Sequence, residues 1–320
     1  MVDVLVLKNL SVDLMSIKGV VHAVRGIDLA LRKGEIHGSV GESGCGKTIT
    51  AKTILRLHDE SRTQYGGEVL FGGRDILKLP KKEIQQIAGR DISMIFQDPM
   101  ISLNPLFPVG EQIGEMLRVH LGLPKPQAEE QALSLLEKVG IHPAGKRLKQ
   151  YPFELSGGML QRVMIAIAVS CSPQLLIADE PTTALDVTIQ AQILELLQAL
   201  QRDIGMTILF ITHNFGVVAE ICDRVSVMYA GKIVETGEVK SIFRHPSHPY
   251  SKALIGSIPR SGRHGQRLAT IPGSPPELFR GIAGCAYAAR CPYSTKQCLD
   301  ESPSLAADQQ GHYTACFHRL

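Results

Sequence analysis

Apolar residues in this chain recur at two spacings, and each spacing predicts one kind of element. Short apolar runs bounded by turn residues predict strands, and apolar residues three or four positions apart predict helices. The predicted strands cover residues 4–7, 10–12, 27–31, 35–40, 68–71, 175–178, 207–211 and 225–228. The predicted helices cover residues 48–55, 112–120, 127–139, 157–170 and 189–201.

The order of these elements indicates the fold class. Strands dominate the first part, a more helical region follows, and strands then alternate with helices, which predicts an α/β fold around a parallel sheet. After residue 237 the pattern breaks up into Pro-rich sequence. We therefore predict a main domain over residues 1–240, with a β-rich subdomain and a helical subdomain at about 98–165. A small Cys-rich extension is predicted over residues 241–320.

Composition narrows the class of protein. A chain of 320 residues with 44% hydrophobic and 20% charged residues is long enough for roughly two domains with a real core. A net charge of +3 gives no reason to expect a nucleic-acid partner. No apolar run approaches the ~20 residues that span a bilayer, and Asp3 lies where a signal peptide carries positive charge. The expectation is a cytoplasmic protein.

The most specific motif occupies residues 41–48, whose sequence Gly-Glu-Ser-Gly-Cys-Gly-Lys-Thr fits the phosphate-binding pattern G-x-x-x-x-G-K-[ST]. A strand before it and a helix after it would let backbone N–H groups wrap a polyphosphate. Lys47 would reach the β- and γ-phosphates, and the Thr48 hydroxyl would bind Mg²⁺. The other predicted phosphate contacts are Gly41, Ser43, Gly44, Cys45 and Gly46. The alternative is a glycine loop used only as a turn; in this context the motif predicts a nucleoside triphosphate site.

A second element supplies two carboxylates. The apolar run over residues 175–178 ends in Asp179 and Glu180. At the carboxyl end of a buried strand, Asp179 could hold Mg²⁺ through water, and Glu180 could act as general base on the attacking water. The alternative is a strand that ends in a solvated acidic turn. The phosphate loop upstream favours the catalytic interpretation.

Between these elements, residues 155–162 have the sequence Leu-Ser-Gly-Gly-Met-Leu-Gln-Arg. Here the chain resembles the ABC-type ATPases, whose signature is LSGG followed by a Gln-Arg pair. Ser156 is expected to cap a helix, and Gly158 to allow close backbone approach to a phosphate. In that family the signature of one subunit closes on the nucleotide held by the other, so the resemblance implies ATP as ligand and a pair of ATPase subunits.

The resemblance continues in the expected order along residues 1–260. Gln97 matches the glutamine-loop position, which senses Mg²⁺ and water and couples to the membrane subunit. Asp186, in Ala-Leu-Asp at residues 184–186, matches the loop that meets the opposing subunit. His213 matches the switch histidine that contacts the γ-phosphate and Glu180. A histidine after a strand is often only a satisfied loop residue, but this order and spacing favour the catalytic role.

Three positions depart from the family pattern. Asn214 stands where Asp is usual, which alters the expected contact between subunits. No aromatic residue lies between residues 9 and 42 to stack on adenine, so Leu14, Val21 or His22 must serve. Cys45 stands where Ser is common, and a thiol near a helix N-terminus and Lys47 is expected to have a depressed pKa. We therefore expect Cys45 to be alkylated, with inhibition, unless ATP protects it.

Four cysteines crowd into the last 36 residues: Cys285, Cys291, Cys298 and Cys316. In a reducing compartment this crowding predicts a metal site rather than disulfides. No C-x-x-C pair is present, so an ordinary zinc ribbon fits poorly; four thiolates can hold zinc or an iron–sulfur cluster. Structural cysteines without metal are the remaining alternative.

This tail resembles the extension of oligopeptide and dipeptide importer ATPases, some of which carry a 4Fe-4S cluster. The resemblance implies an ATPase subunit at the cytoplasmic face of the inner membrane that powers uptake of di- or oligopeptides. It implies three kinds of partner: a second ATPase subunit (a related chain or a second copy), two integral membrane permease subunits, and an extracytoplasmic peptide-binding protein. Movement would pass through the region after Gln97 to the permeases.

Other functions remain open at this point. The cargo of an importer of this kind could be another small solute, such as a metal chelate. A soluble ABC ATPase acting on ribosomes or DNA usually shows two cassettes, a coiled-coil insertion or a basic surface, and none is present in the sequence. A regulatory protein with a vestigial ATPase is disfavoured by the intact Lys47, Asp179, Glu180 and His213.

Overall fold

The computed structural model describes residues 2–183, 185–258, 270–308 and 311–320. The strands in chain order are β1 (Asp3–Ser16), β2 (Gly19–Arg32), β3 (Ile36–Val40), β4 (Thr63–Phe71), β5 (Arg74–Asp75), β6 (Ile92–Ile95), β7 (Leu175–Asp179), β8 (Thr207–Thr212), β9 (Arg224–Tyr229), β10 (Lys232–Glu238), β11 (Ala306–Ala307) and β12 (Tyr313–Thr314). The helices are α1 (Lys47–Ile54), α2 (Lys81–Ile87), α3 (Pro99–Ser102), α4 (Val109–Leu121), α5 (Lys125–Lys138), α6 (Ala144–Arg147), α7 (Gly157–Val169), α8 (Val187–Ile204), α9 (Phe215–Ile221), α10 (Val239–Arg244), α11 (Pro249–Gly256) and α12 (Lys296–Asp300).

Apart from the first two residues, the chain forms two compact units. The first unit comprises residues 3–78 and 211–320, and the second comprises residues 79–210. The C-terminal residues thus belong to the same unit as the phosphate loop. The predicted domain division at residue 240 and the helical subdomain at about 98–165 stay predictions.

The first unit holds an antiparallel sheet in the order β2-β1-β4-β5. It also holds β3, which pairs with β9 in parallel, and β9 continues through antiparallel β10 and β12 to β11. Helices α9 to α11 supply apolar side chains to a core that includes Val227, Ile242 and Tyr250. Tyr287 is part of the same core, so the segment with the four cysteines packs within this unit.

Strand β1 is longer than the sequence predicts. Lys8 and Asn9 interrupt the apolar pattern, which predicts two separate strands. The structure has one strand with a bulge at this point: Leu7 is opposite Leu29, but Leu10 is opposite Ile27. Asn9 has a φ of 46°, a left-handed conformation that asparagine tolerates better than most residues.

The second unit contains β6 and β7 as a parallel pair, β8 beside β7, and helices α2 to α8. Helix α5 begins at Lys125, with Pro126 in its first turn, whereas the sequence predicts that Pro124 and Pro126 precede the helix. Proline is compatible with the first turn because the N–H groups there have no partner within the helix. Among the described residues, no helix has the length and apolar character needed to cross a membrane.

Candidate functional site

The phosphate loop joins β3 to α1, as predicted. Gly44 and Gly46 have φ values of 78° and 107°, which residues with a side chain rarely adopt. A Cβ on Gly41 would lie 2.2 Å from the carbonyl oxygen of Met228. These glycines are therefore required by backbone conformation and by close packing, which leaves the loop backbone able to surround a ligand.

Lys47 is the first residue of α1 and is buried. Its Nζ donates to the carbonyl oxygens of Gly41 and Glu42, at 2.7 and 3.0 Å. The ammonium group is thus held within the loop whose N–H groups are predicted to receive the phosphates. Thr48 is half-buried on the next position of α1, and Ser43 and Gly44 are exposed at the tip of the loop.

The expectation of a depressed pKa for the Cys45 thiol is wrong. Its side chain is 5% exposed, and this burial raises the pKa of the thiol, an effect larger than the opposing one of the nearby Lys47 ammonium. A buried, protonated thiol is a poor nucleophile, so rapid alkylation is no longer expected. The Cys45 N–H donates to the Glu42 carbonyl oxygen at 3.4 Å, which makes the residue part of the loop's turn.

In the second unit, the register of two parallel strands brings predicted catalytic residues together. Ile95 of β6 pairs with Ala178 of β7, so the residues two positions further along, Gln97 and Glu180, leave the sheet side by side. Gln97 Nε2 donates to Glu180 Oε2 at 3.3 Å. Asp179 is buried at the end of β7. Of the predicted residues in this unit, the structure therefore joins Gln97 directly to Glu180.

Sequence reasoning missed one further contact to this carboxylate. Thr183 Oγ1 donates to the same Glu180 oxygen at 2.8 Å, and Glu180 has a φ of 49°. Left-handed backbone at a residue with a side chain is costly and is concentrated at functional sites. The only sequence signal for Thr183 is its position three residues after Glu180. Gln97, Thr183 and a strained backbone thus restrict the orientation of the proposed base.

The signature segment places a helix N-terminus at Gly157. Ser156 occupies the N-cap position of α7, but its side chain makes no capping hydrogen bond, so the predicted capping role is wrong for its hydroxyl. Ser156 and Gly157 are exposed and Gly158 is half-buried. An exposed hydroxyl beside the unbonded N–H groups of a 13-residue helix is suited to binding an anion.

Two loop residues have structural roles of their own. Asp186 Oδ1 accepts from the Ile189 N–H at 2.9 Å and caps α8, while Val187 beside it is 84% exposed. Asn214 Oδ1 accepts from the Gly216 N–H at 2.9 Å and caps α9. Asparagine therefore serves as cap where aspartate is usual.

His213 follows β8 and is exposed, and its catalytic role stays a prediction. Ala184, which precedes Leu185 and Asp186 in the predicted loop, lies outside the described residues.

The predicted adenine contacts lie near the turn between β1 and β2. Leu14 is opposite Val21, and His22 Nδ1 lies 2.8 Å from Asp13 Oδ1. All three are half-buried. The backbone N–H of His22, in β2, donates to the Leu278 carbonyl oxygen at 3.0 Å, so the C-terminal segment contacts β2 at this point. Which of the three contacts adenine stays a prediction.

The four C-terminal cysteines line one small pocket, together with His248, Tyr287 and His318. Burial raises the pKa of the Cys285, Cys291 and Cys316 thiols. In the part of the chain that the structure describes, no group of three or more His, Cys, Asp or Glu side chains is arranged to hold a metal ion. The structure therefore brings the cysteines together without supporting the predicted metal site.

Two families match this sequence. Residues 24–183 match the family described as ABC transporter, and residues 234–298 match the family described as oligopeptide/dipeptide transporter, C-terminal region. The dipeptide transport ATP-binding protein DppD of Bacillus subtilis is 49% identical over 318 residues, which cover 99% of this chain and 95% of DppD. The oligopeptide transport ATP-binding protein OppD of Salmonella typhimurium is 48% identical over 309 residues, which cover 97% of this chain and 92% of OppD.

Solved structures agree with this assignment. A dimeric ATP-binding cassette, MJ0796, in a post-hydrolysis state with ADP and Pi, has a TM-score of 0.66 and 26% identity, and the match covers 73% of this chain and 98% of that one. CbiO1 of Clostridium perfringens, part of the transporter complex cbiONQ, has a TM-score of 0.64 and 28% identity, with coverage of 76% and 91%. The chain belongs to the ABC transporter ATPases, in the group of oligopeptide and dipeptide transporters.

Proposed function

We propose that this chain is the ATP-hydrolysing subunit of a membrane importer for di- or oligopeptides. The observation that carries the proposal is the similarity to dipeptide and oligopeptide transport ATP-binding proteins, which are 49% and 48% identical over nearly the whole chain. The match of residues 234–298 to the C-terminal family of these transporters agrees with it. Members of the ABC family hydrolyse ATP with Mg²⁺, and the phosphate loop of this chain has the backbone and lysine that such binding needs.

Each unit contributes its own chemistry. In the first unit, Lys47 and the loop N–H groups are suited to hold the phosphates. Thr48 of the same unit is the proposed Mg²⁺ ligand there; in the second unit, Gln97 and, through water, Asp179 are the proposed Mg²⁺ contacts. In the second unit, Glu180 would accept the proton of the attacking water, and Gln97 and Thr183 orient its carboxylate.

The chain is proposed to work in a pair of ATPase subunits, formed with a related chain or with a second copy. Three observations support this pairing. The Ser156 hydroxyl makes no capping hydrogen bond, Val187 next to Asp186 is exposed, and the related cassette MJ0796 is dimeric. Ser156 and Gly158 would bind the γ-phosphate of nucleotide held by the partner. ATP that binds more tightly to the closed pair than to the open one would drive closure.

Membrane partners are proposed on a surface of the second unit. Five large apolar side chains are exposed between residues 96 and 107: Phe96, Met100, Ile101, Leu106 and Phe107. Such a concentration of exposed apolar residues is typical of a protein interface. We assign it to two integral permease subunits, which place the chain peripherally at the cytoplasmic face of the inner membrane. An extracytoplasmic peptide-binding protein would deliver the cargo.

Ile101→Glu tests this surface. Ile101 is 84% exposed, so glutamate there is compatible with folding but would be buried unpaired in an interface. We expect the amount of permease that co-purifies with the tagged chain to fall at least about tenfold. Ile17→Glu, at a fully exposed isoleucine of the first unit, is the control and should leave co-purification unchanged. Equal recovery with both variants would reject the assigned surface.

For the cysteine pocket we propose a 4Fe-4S cluster rather than zinc. Four cysteines that line one pocket provide the thiolate set that such a cluster needs, and the absence of a C-x-x-C pair makes an ordinary zinc ribbon the poorer match. When bound, the cluster would act as a structural link among the four cysteines.

Metal analysis of anaerobically purified protein tests this assignment. We expect iron and sulfide in equal amounts, with a broad visible absorption band that is lost in Cys298→Ser. Cys222→Ser is the matched control, because Cys222 lies outside the pocket, and should keep the band. Stoichiometric zinc without iron, or no metal in protein purified without oxygen, would refute the cluster.

Uptake by cells tests the function as a whole. A strain that lacks this chain should fail to accumulate labelled di- and oligopeptides, and the wild-type chain should restore uptake. Lys47→Ala should not restore it, whereas Lys33→Ala, at an exposed lysine before β3, should. If the deletion strain takes up peptides normally but loses uptake of another solute, such as a metal chelate, the proposed peptide cargo is wrong. That solute is then the cargo.

A further inference from the structure

Arg290 is a buried arginine of the C-terminal segment. It ends a short 3-10 turn, Ala288–Arg290, that lies between Cys285 and Cys291, and its side chain is 5% exposed. Its Nε donates to the Pro272 carbonyl oxygen at 2.9 Å, and Nη1 donates to Tyr229 Oη at 3.3 Å. The side chain is therefore held in one orientation from several directions.

The guanidinium group of Arg290 contacts Glu42 of the phosphate loop. Nη1 donates to Glu42 Oε2 at 2.6 Å, and Nη2 donates to Glu42 Oε1 at 3.0 Å. Glu42 directly follows Gly41, and its backbone N–H donates to Tyr250 Oη at 3.0 Å. Both the side chain and the backbone of this loop residue are thus held by residues beyond position 240.

This pair differs from an ordinary surface ion pair in two respects. It is bidentate, which is the strong and directional form of an arginine–carboxylate contact, and the arginine is almost fully removed from water. The Arg290 guanidinium carbon lies 5.8 Å from the centroid of the Tyr229 ring, which packs against Tyr250 and Tyr287 with ring centroids 4.6 and 5.3 Å apart. A shift of the turn before Cys291 would therefore move the contact on the loop.

The negative charge on Glu42 links the Arg290–Glu42 ion pair to the affinity for ATP. A carboxylate on a loop that receives a triphosphate repels the ligand unless a cation neutralises it. Arg290 supplies that cation and at the same time fixes the loop's conformation, which binding would otherwise have to order. No other cation is paired with the Glu42 carboxylate among the ion pairs of the described residues.

We propose that Arg290 is a positioning residue of the phosphate loop, through which the fold of the cysteine-bearing segment sets the affinity for ATP. The proposal rests on the proposed ATPase function. It assigns the C-terminal segment a role in nucleotide binding, in addition to its role as part of the first unit's core. By linkage, bound ATP stabilises the same segment to the same extent.

Three variants test the proposal by titration of the intact protein with ATP. Arg290→Gln should raise the dissociation constant for ATP at least about tenfold, with kcat at saturating ATP changed by less than about twofold. Arg280→Gln is the matched control, because Arg280 is an exposed arginine of the same segment that pairs only weakly with Glu277, and should bind ATP like wild type. In Glu42→Gln/Arg290→Gln, loss of the unneutralised carboxylate should recover at least about half of the lost binding free energy.

The outcomes separate a positioning role from a purely structural one. If Arg290→Gln lowers thermal stability but leaves ATP affinity unchanged, Arg290 only holds the fold and the proposal is wrong. If the double variant binds ATP no better than Arg290→Gln, the charge argument fails. Arg290→Lys, which keeps the charge but loses the bidentate geometry, should bind with intermediate affinity and serves where the glutamine variant does not fold. Wild-type protein that binds no ATP would instead reject the proposed function.

Discussion

Glu180→Gln is expected to reduce kcat for ATP hydrolysis by at least about 10²-fold and to leave ATP bound. Glutamine has nearly the shape of glutamate and can still accept from Gln97 and Thr183, so the local structure should survive. It cannot take a proton from water, so the chemical step should fail while binding persists. The assembled importer, purified through a tag on this chain, should therefore accumulate with two ATPase subunits closed on unhydrolysed ATP.

Two further variants make this test specific. Glu195→Gln removes a carboxylate from the exposed face of α8 and should hydrolyse ATP at the wild-type rate. Thr183→Ala removes a donor that orients Glu180 and should reduce kcat by roughly tenfold with little change in ATP affinity. Wild-type turnover in Glu180→Gln would show that another group activates the water.

Gly158→Asp should abolish hydrolysis for a different reason. The substitution puts a negative charge at the N-terminus of α7, where the γ-phosphate held by the partner is expected to bind. Gly158 Cβ would also lie 3.1 Å from Ile189 Cγ2, so the added side chain is forced toward the exposed side. We expect ATP to bind this chain's own phosphate loop normally, while closure of the pair and hydrolysis fall at least about 10²-fold.

Gly145→Asp adds the same charge at a glycine of α6 where a Cβ would meet only Leu133, at 3.8 Å, and should retain activity. Binding is measured by ATP titration, closure by cross-linking across the pair, and hydrolysis by phosphate release. Full hydrolysis by Gly158→Asp would mean that the signature does not contact the partner's nucleotide, and the composite-site interpretation would fail.

The motifs predictable from the sequence are those that depend on local spacing. The strand, loop and helix around Lys47, and the strand that ends at Asp179, occur where their apolar patterns place them. Strand β10 and most of β2 lie outside the predicted strands, although each pairs with the strand that precedes it in the sequence, β9 and β1. The gap at Lys8 and Asn9 in the predicted β1 reflects a bulge, which a simple alternating pattern does not contain.

Properties that depend on tertiary environment were predicted less well. The pKa of Cys45 is raised because the loop buries the thiol, whereas its neighbours in sequence suggest the opposite shift. The Ser156 hydroxyl does not cap its helix, although serine before a helix is commonly a cap. The Glu42–Arg290 pair joins residues 248 positions apart, and nothing in the spacing of either motif indicates it.

The most direct test of peptide import uses the complete importer in lipid vesicles. The tagged chain is purified with its membrane partners and reconstituted so that ATP reaches this chain while labelled peptides are supplied on the opposite face with the peptide-binding protein. We predict ATP-dependent accumulation of di- or oligopeptides that is lost in Glu180→Gln and retained in Glu195→Gln. Steady ATP hydrolysis by this assembly without peptide accumulation, at any peptide length tested, would contradict the account.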